Sequence, residues 1–348
     1  MTTRDRLQDT AYVLIIVAVG LLLLYFARNF LIPLVLAIMT WGLLNALANQ
    51  IGRIRLGSLS LPRWLALLLA VTSLLAFFLL VYQILASQSE ALSRAAPVYQ
   101  ENLNALFNRL VTRFGIEELP ASDMFLERVN IGTLLGWLGG SVGNLLSALI
   151  LVSIYTGFLF AEQGVMRQKL DAMTGSAGES SRLYSVIDQI AVQVQNYIGM
   201  KTLVSMATGL LSYGVLKWVG VDFAAVWALL IFLLNYIPNI GSIVGVILPA
   251  LLTLVQFDNL TPFLIITLGL GAVQFLIGNL VEPALMGKSL NLSSFMIILS
   301  LTFWGMLWGI AGMFLSVPIM VMIAIVCANI DGLRGIAVVL SADGKIPE

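Results

Sequence analysis

Two short stretches of this 348-residue chain set hydrogen-bonding and ionisable side chains beside prolines and glycines, in an otherwise oily sequence. They are Asn235-Tyr-Ile-Pro-Asn-Ile-Gly241 and Gly278-Asn-Leu-Val-Glu-Pro-Ala-Leu-Met-Gly287. Pro238 and Pro283 each remove a backbone donor and end or kink a helix that enters them. Irregular backbone at membrane depth is tolerated only where it is buried in protein or lines a wet cavity. Its free N–H and C=O groups can then hold solutes or ions. The candidates for substrate contact and translocation are therefore Asn235, Tyr236, Pro238, Asn239, Gly241, Asn279, Glu282, Pro283 and Gly287. An ionisable group within the bilayer is a functional candidate by default, and Glu282 qualifies best. The competing reading of Glu282 is an interfacial acid that caps a helix start after Asn279.

Other chemistry finds little support. The sequence has no histidine and one cysteine, Cys327, which removes the commonest zinc ligand, the usual general base and any intramolecular disulfide. No catalytic residue, metal site or cofactor is expected. Met286-Gly-Lys-Ser289 suggests a phosphate loop, but that pattern needs a glycine five residues before Gly287, where Glu282 stands. No strand is expected to lead into such a loop. With 18 Lys plus Arg against 18 Asp plus Glu, no net field points to nucleic acid.

The elements that must position these residues are membrane helices. Hydrophobic residues make up 59% and charged residues 10% of the chain, and eighteen charges of each sign cannot coat a soluble surface of this size. The mean hydropathy is +0.98. Apolar runs long enough for the hydrocarbon layer begin at Ala11, Phe30, Trp64, Leu145 and Thr202, and shorter or broken ones follow from Val221 to Cys327. The first run lacks a small-residue cleavage site at Tyr25–Arg28 and is read as a retained span. Basic residues alternate from loop to loop: Arg4 and Arg6, then Arg53, Arg55 and Arg63, then Arg167, Lys169, Arg182 and Lys201. By the positive-inside rule the N-terminus is cytoplasmic and the acidic stretch 87–144 lies outside.

The expected fold is all-α, a polytopic transmembrane helical bundle of about eight passes, some broken or re-entrant, with amphipathic extramembrane helices. Transmembrane helices one to three fill 1–86, and an extracytoplasmic amphipathic segment fills 87–144. The fourth span covers 145–161 and a cytoplasmic amphipathic segment 162–201. A C-terminal bundle with broken helices fills 202–327, and a cytoplasmic tail 328–348. Val221–Asn235 and Ile240–Phe257 read either as a re-entrant hairpin or as one long broken span. Phe295–Cys327 is too long for one straight crossing and is interrupted by Gly305, Gly309, Gly312 and Pro318. The periodic residues from Leu92 to Phe114, and those from Leu183 to Ile198, suit a lid or arm that moves with transport, or a helix resting on its own bundle or on a neighbouring subunit.

The motifs of the last third resemble the autoinducer-2 exporter family of bacterial membrane proteins. The resemblance rests on Asn235-Tyr-Ile-Pro-Asn-Ile-Gly-Ser242, on Gly278-Asn-Leu-Val-Glu-Pro283 with Met286-Gly287, and on Leu299-Ser-Leu-Thr-Phe-Trp-Gly305 followed by Gly312-Met-Phe-Leu-Ser-Val-Pro318. It implies an inner-membrane exporter without an ATPase domain, assembled as a homo-oligomer, a pentamer, and embedded in the lipid bilayer. The family is named for export of a quorum-sensing furanone, and other members resemble sodium or lithium/proton antiporters. A neutral polyhydroxylated solute needs groups such as Asn235, Tyr236, Asn239 and Asn279, with aromatic surface from Trp304 and Trp308. Cation/proton exchange needs a carboxylate, and beyond Glu282 there are only Asp222 and Glu162 at the edges. That scarcity favours the neutral solute. A purely structural membrane protein would leave the polar broken helices unexplained.

Overall fold

A lipid-embedded chain must satisfy its backbone polar groups internally, so long apolar runs become helices. The computed structural model describes residues 3–53, 55–56, 59–114, 131–173, 177–286 and 291–345. The elements are α1 (Thr3–Phe26), α2 (Arg28–Arg53), β1 (Arg55–Leu56), β2 (Leu59–Ser60), α3 (Arg63–Phe114), α4 (Ile131–Met173) and α5 (Ala177–Val219). Then come α6 (Ala224–Leu234), α7 (Ile240–Gln256), α8 (Thr261–Leu276), a π-helical turn Ile277–Val281, α9 (Glu282–Met286), α10 (Ser294–Asn329) and α11 (Arg334–Leu340). The fold is a polytopic transmembrane helical bundle. Against the expectation of no strand, β1 and β2 pair over two residues each in an antiparallel ladder. Among the described residues six helices are long and apolar enough to cross a membrane, within Arg28–Arg53, Arg63–Gln88, Ala148–Met166, Ser181–Val219, Thr261–Leu285 and Ser294–Asn329. Ala11–Phe26, Ala224–Leu234 and Ile240–Gln256 are shorter apolar helices.

The chain divides into two compact units, one from 1–43, 149–197 and 288–348, the other from 44–148 and 198–287. In the first unit α2 and α4 run in the same direction. Phe30 meets Tyr155, Trp41 meets Phe160, and the Trp41 indole donates to Gln163 Oε1 at 3.2 Å. Helix α10 is two helices in one. Gly309 has φ 64° and ψ −142°, and Ser300 Oγ donates to the Ser316 carbonyl at 3.0 Å. In a straight helix those sixteen residues would span about 24 Å. The helix therefore turns back at Gly309, and its return arm buries Leu315 to Val321 in the core of the unit. The length that looked too great for one crossing is that of a hairpin. Its two ends meet the same short segment, through Ser293 N–H to the Leu340 carbonyl and Arg334–Leu340 beyond.

In the second unit α6 and α7 also form a hairpin, which decides between the two readings of 221–257. The Gln256 amide accepts from Asp222 N–H at 3.0 Å and donates to the Gly220 carbonyl at 2.9 Å, so the start of α6 and the end of α7 are side by side. Pro238 stops α6 from continuing, and Asn239 takes a left-handed φ of 60° to turn the chain. Four helices of this unit enclose a core of Leu216, Ile231, Ala250, Ile266 and Leu270.

The segment boundaries 86/87 and 201/202, among others, fall inside helices. Helix α3 runs unbroken from Arg63 to Phe114, through 86/87 and Pro97. Helix α5 runs from Ala177 to Val219, so the amphipathic segment before 201 and the fifth span are one rod. Apolar residues on a continuing helical period give no signal to stop, and neither site carries a glycine or proline that ends the helix. The described part of α3 beyond its span rests on its own unit. Tyr99 is buried, its hydroxyl donates to Asp222 Oδ2 at 2.6 Å, and the Asn102 amide donates to the Val255 carbonyl at 2.9 Å. Burial first, and then the Asp222 carboxylate, push the Tyr99 phenol above its usual range.

Candidate functional site

Helix α5 carries the framework of the site. Lys201, Ser205, Thr208 and Ser212 recur at four- and three-residue spacing, which puts them on one helical face, and all four are buried. The α6–α7 tip meets this face. The Asn235 amide donates to Ser205 Oγ at 3.0 Å, and the Tyr236 and Thr202 hydroxyls share a hydrogen bond of 2.7 Å. Phe232 supports Tyr236 edge-on at 5.8 Å between ring centres and touches Phe77 of α3 on its other side. The turn itself is tight because Gly241 lacks a side chain: a Cβ there would stand 1.7 Å from the Leu234 carbonyl oxygen.

Beside the tip, Lys201 Nζ donates to Glu282 Oε1 at 2.5 Å. The lysine side chain is 6% exposed and the glutamate 23%. Lys201 lies eighteen residues before Val219, about 27 Å along the helix axis, so nearly the full apolar thickness separates the pair from the Asp222 end. Glu282 reaches the lysine from the start of α9, directly after the π-helical turn at Ile277–Val281. Pro283 lacks an N–H, so the regular ladder fails just there. Wide turns of this kind concentrate at functional sites.

The predicted residues divide by what the fold does with them. Asn235, Tyr236 and Glu282 converge on α5. Pro238, Asn239 and Gly241 shape the tip without contributing a side chain to it, and the half-buried Ser242 hydroxyl donates to the Asn239 carbonyl. Asn279 is exposed and its amide bonds the Phe275 carbonyl of its own helix at 3.1 Å, while Pro283 faces outward. Gly287 lies outside the described residues. Trp304 and Trp308 pack against each other at a tilt, 4.8 Å between ring centres, within the α10 hairpin, in the other unit. Of the edge acids, Asp222 is held by Tyr99 and Glu162 by Lys169. Glu282 stands in the first turn of α9, after Asn279, and is paired with Lys201.

Sequence reasoning missed Lys201, Thr202 and Ser205. Lys201 counted as one more positive charge in a cytoplasmic loop, whereas it begins the buried polar stripe of α5. The stripe itself was the available signal: polar residues at 201, 205, 208 and 212 share a helical face in an otherwise apolar run. The assembled site offers hydroxyl, amide and phenol groups around an ion pair with no net charge. Among the described residues no group of three or more His, Cys, Asp or Glu side chains could hold a metal ion.

This chain matches the model of the AI-2E family transporters over residues 14–332. It is 32% identical over 337 residues to the AI-2 transport protein TqsA of Escherichia coli (strain K12), covering 94% of this chain and 95% of that protein. It is 33% identical over 253 residues, 72% of this chain and 68% of the other, to a candidate transport protein of Borreliella burgdorferi. It is 29% identical over 350 residues, 94% and 96% of the two, to the candidate permease PerM of Escherichia coli. The match over residues 14–332 and these full-length relatives show that the chain belongs to the AI-2E transporter family.

Proposed function

We propose that this protein exports a small, neutral, polar solute such as the quorum-sensing furanone autoinducer-2, and that it is a transporter rather than an enzyme. The observation that carries the reading is the Lys201–Glu282 pair beside the hairpin tip. Its carboxylate already holds a counter-ion, so the site provides hydrogen-bonding groups without a net charge to attract a cation. The hydroxyls and amides of Tyr236, Thr202, Asn235 and Ser205 suit a hydroxylated ring. The relative TqsA, named as an AI-2 transport protein and aligned over nearly the whole of both chains, supports the same substrate. The basic loops support a bacterial inner-membrane location with a cytoplasmic N-terminus. The family resemblance supports a homo-oligomer, a pentamer, in the bilayer.

A second reading, sodium or lithium/proton exchange, is favoured by one feature: a carboxylate in contact with a lysine that is buried in a membrane helix. It requires Lys201 to leave Glu282 in each cycle. Flux through the purified protein in proteoliposomes separates the two. The exporter moves autoinducer-2 down its gradient well above empty vesicles, shows no sodium-coupled proton movement, and keeps most of its flux in Glu282→Gln. Sodium- or lithium-driven proton movement in the wild type, abolished in that variant, would replace this reading with the antiporter.

A further inference from the structure

A lysine within an apolar helix is expensive unless its charge is used. Lys201 is the more deeply buried member of its pair, and Glu282 the more open. The carboxylate thus faces the accessible side, with the ammonium filling the space behind it. Glu282 stands apart from the unit's other described acids. Asp222, Glu101 and Asp258 belong to the Tyr99–Gln256 end, where Tyr99 and Asn102 pack on 222 and 255 and Gln256 binds 222. Lys201 shares its helical face with Ser205, so the ammonium reaches the same polar interior that the tip residues Asn235 and Tyr236 line.

We propose that Lys201 determines charge selectivity: by occupying Glu282 it denies monovalent cations a carboxylate in the translocation site and admits only uncharged solutes. This rests on the neutral-solute reading above. Carboxylates select cations and lysines select anions when they line a membrane path unpaired. Each partner of the pair therefore cancels the selectivity that the other would impose alone. A pair that serves only to pin α9 against α5 makes no such distinction, because breaking it from either side loosens the same contact.

The test uses the full chain in proteoliposomes, with radioactive sodium and radioactive chloride as probes. In Lys201→Gln sodium uptake rises about ten-fold or more over wild type while chloride uptake stays low. In Glu282→Gln the order reverses, and chloride enters while sodium does not. The double variant Lys201→Gln/Glu282→Gln returns both ions to wild-type levels, and Lys201→Arg keeps them there. Equal leakage of both ions in either single variant, or sodium uptake in the double variant as high as in Lys201→Gln, overturns the proposal. So does a double variant that reaches the membrane when neither single variant does, since the pair would then serve assembly. Each single variant tests the opposite sign of ion, so loss of one leaves the other decisive. Furanone export by the wild type is measured separately: its absence sinks the neutral-solute reading, whereas the ion pattern can fail with export intact.

Discussion

The two hairpins of this molecule use one backbone device for different ends. In α6–α7 a Cβ on Gly241 would sit 1.7 Å from the Leu234 carbonyl, and in α10 a Cβ on Gly312 would sit 1.9 Å from the Trp304 carbonyl. Each chain thus reverses so tightly that only glycine fits where the arms meet. The tips differ in chemistry. The α10 tip is aromatic, and its polar groups end on backbone: Trp308 Nε1 donates to the Leu24 carbonyl at 3.0 Å, satisfying an orphan at the end of α1, and Ser300 donates to Ser316. The α6–α7 tip directs Asn235 and Tyr236 to side chains of another helix, beside an ion pair. Backbone partners lock a tip in place, whereas side-chain partners can be exchanged for a solute. The first hairpin is thus built for packing, and under the proposed function the second serves transport.

The hardest blow to this comparison would come from the glycines. Gly241→Val and Gly312→Val should each destabilise the protein by about 4 kcal/mol or more, because backbone must move to admit the side chain. Thermal unfolding in detergent checks this, and a normal melting profile for either variant would contradict the corresponding turn. Next is the ion pair. Lys201→Ala leaves Glu282 without its counter-ion, at a cost of about 2–3 kcal/mol, reduced from the fully buried case because Glu282 is partly open. The matching change at the other tip, Ser316→Ala, should cost well under that, about 0.5 kcal/mol, since its hydroxyl serves only its own helix.

The functional contrast comes from two hydroxyl and indole deletions. Tyr236→Phe should lower solute flux about five-fold while costing about 1 kcal/mol, because Thr202 retains its bond to the Ile198 carbonyl. Trp308→Phe should cost a similar about 1 kcal/mol in stability yet leave flux per folded molecule unchanged. Flux and melting measured on the same preparations check both, and equal loss of flux in the two variants would erase the division of labour.

Tyr99→Phe should destabilise by about 1–2 kcal/mol through loss of the bond to Asp222. The phenol is raised in the folded state. Its contribution is therefore complete below the ordinary tyrosine value of about 10 and declines as pH rises through the raised one. The difference in melting temperature between wild type and variant should shrink in strong alkali; a gap that widened there would reverse the assignment. The smallest effect belongs to Asn279→Ala. Its amide is exposed and bonded to its own helix, so flux should change by less than about two-fold.

Much of this was legible in the chain. Apolar runs of membrane length gave the helices, Pro238 and the glycines marked where they break, and Asn235, Tyr236 and Glu282 stood out as polar residues in oily surroundings. Asn279 stood out equally and proved to serve its own helix, because a polar residue beside a proline carries no sign of the direction its side chain takes. Lys201 was hidden for the opposite reason. A basic residue between an amphipathic stretch and an apolar run reads as a loop charge under any local count.

By itself, then, the sequence determined that the protein is a helical membrane transporter, since composition and periodicity are local properties. Tertiary structure decided which polar residues meet. Lys201 and Glu282 are 81 residues apart and touch because α5 and the α8–α9 segment pack side by side. It also decided that 221–257 and 294–329 are hairpins, a choice set by whether two arms find a common neighbour and a glycine close enough to fold on. Such choices depend on packing between distant segments, which no local window of sequence contains.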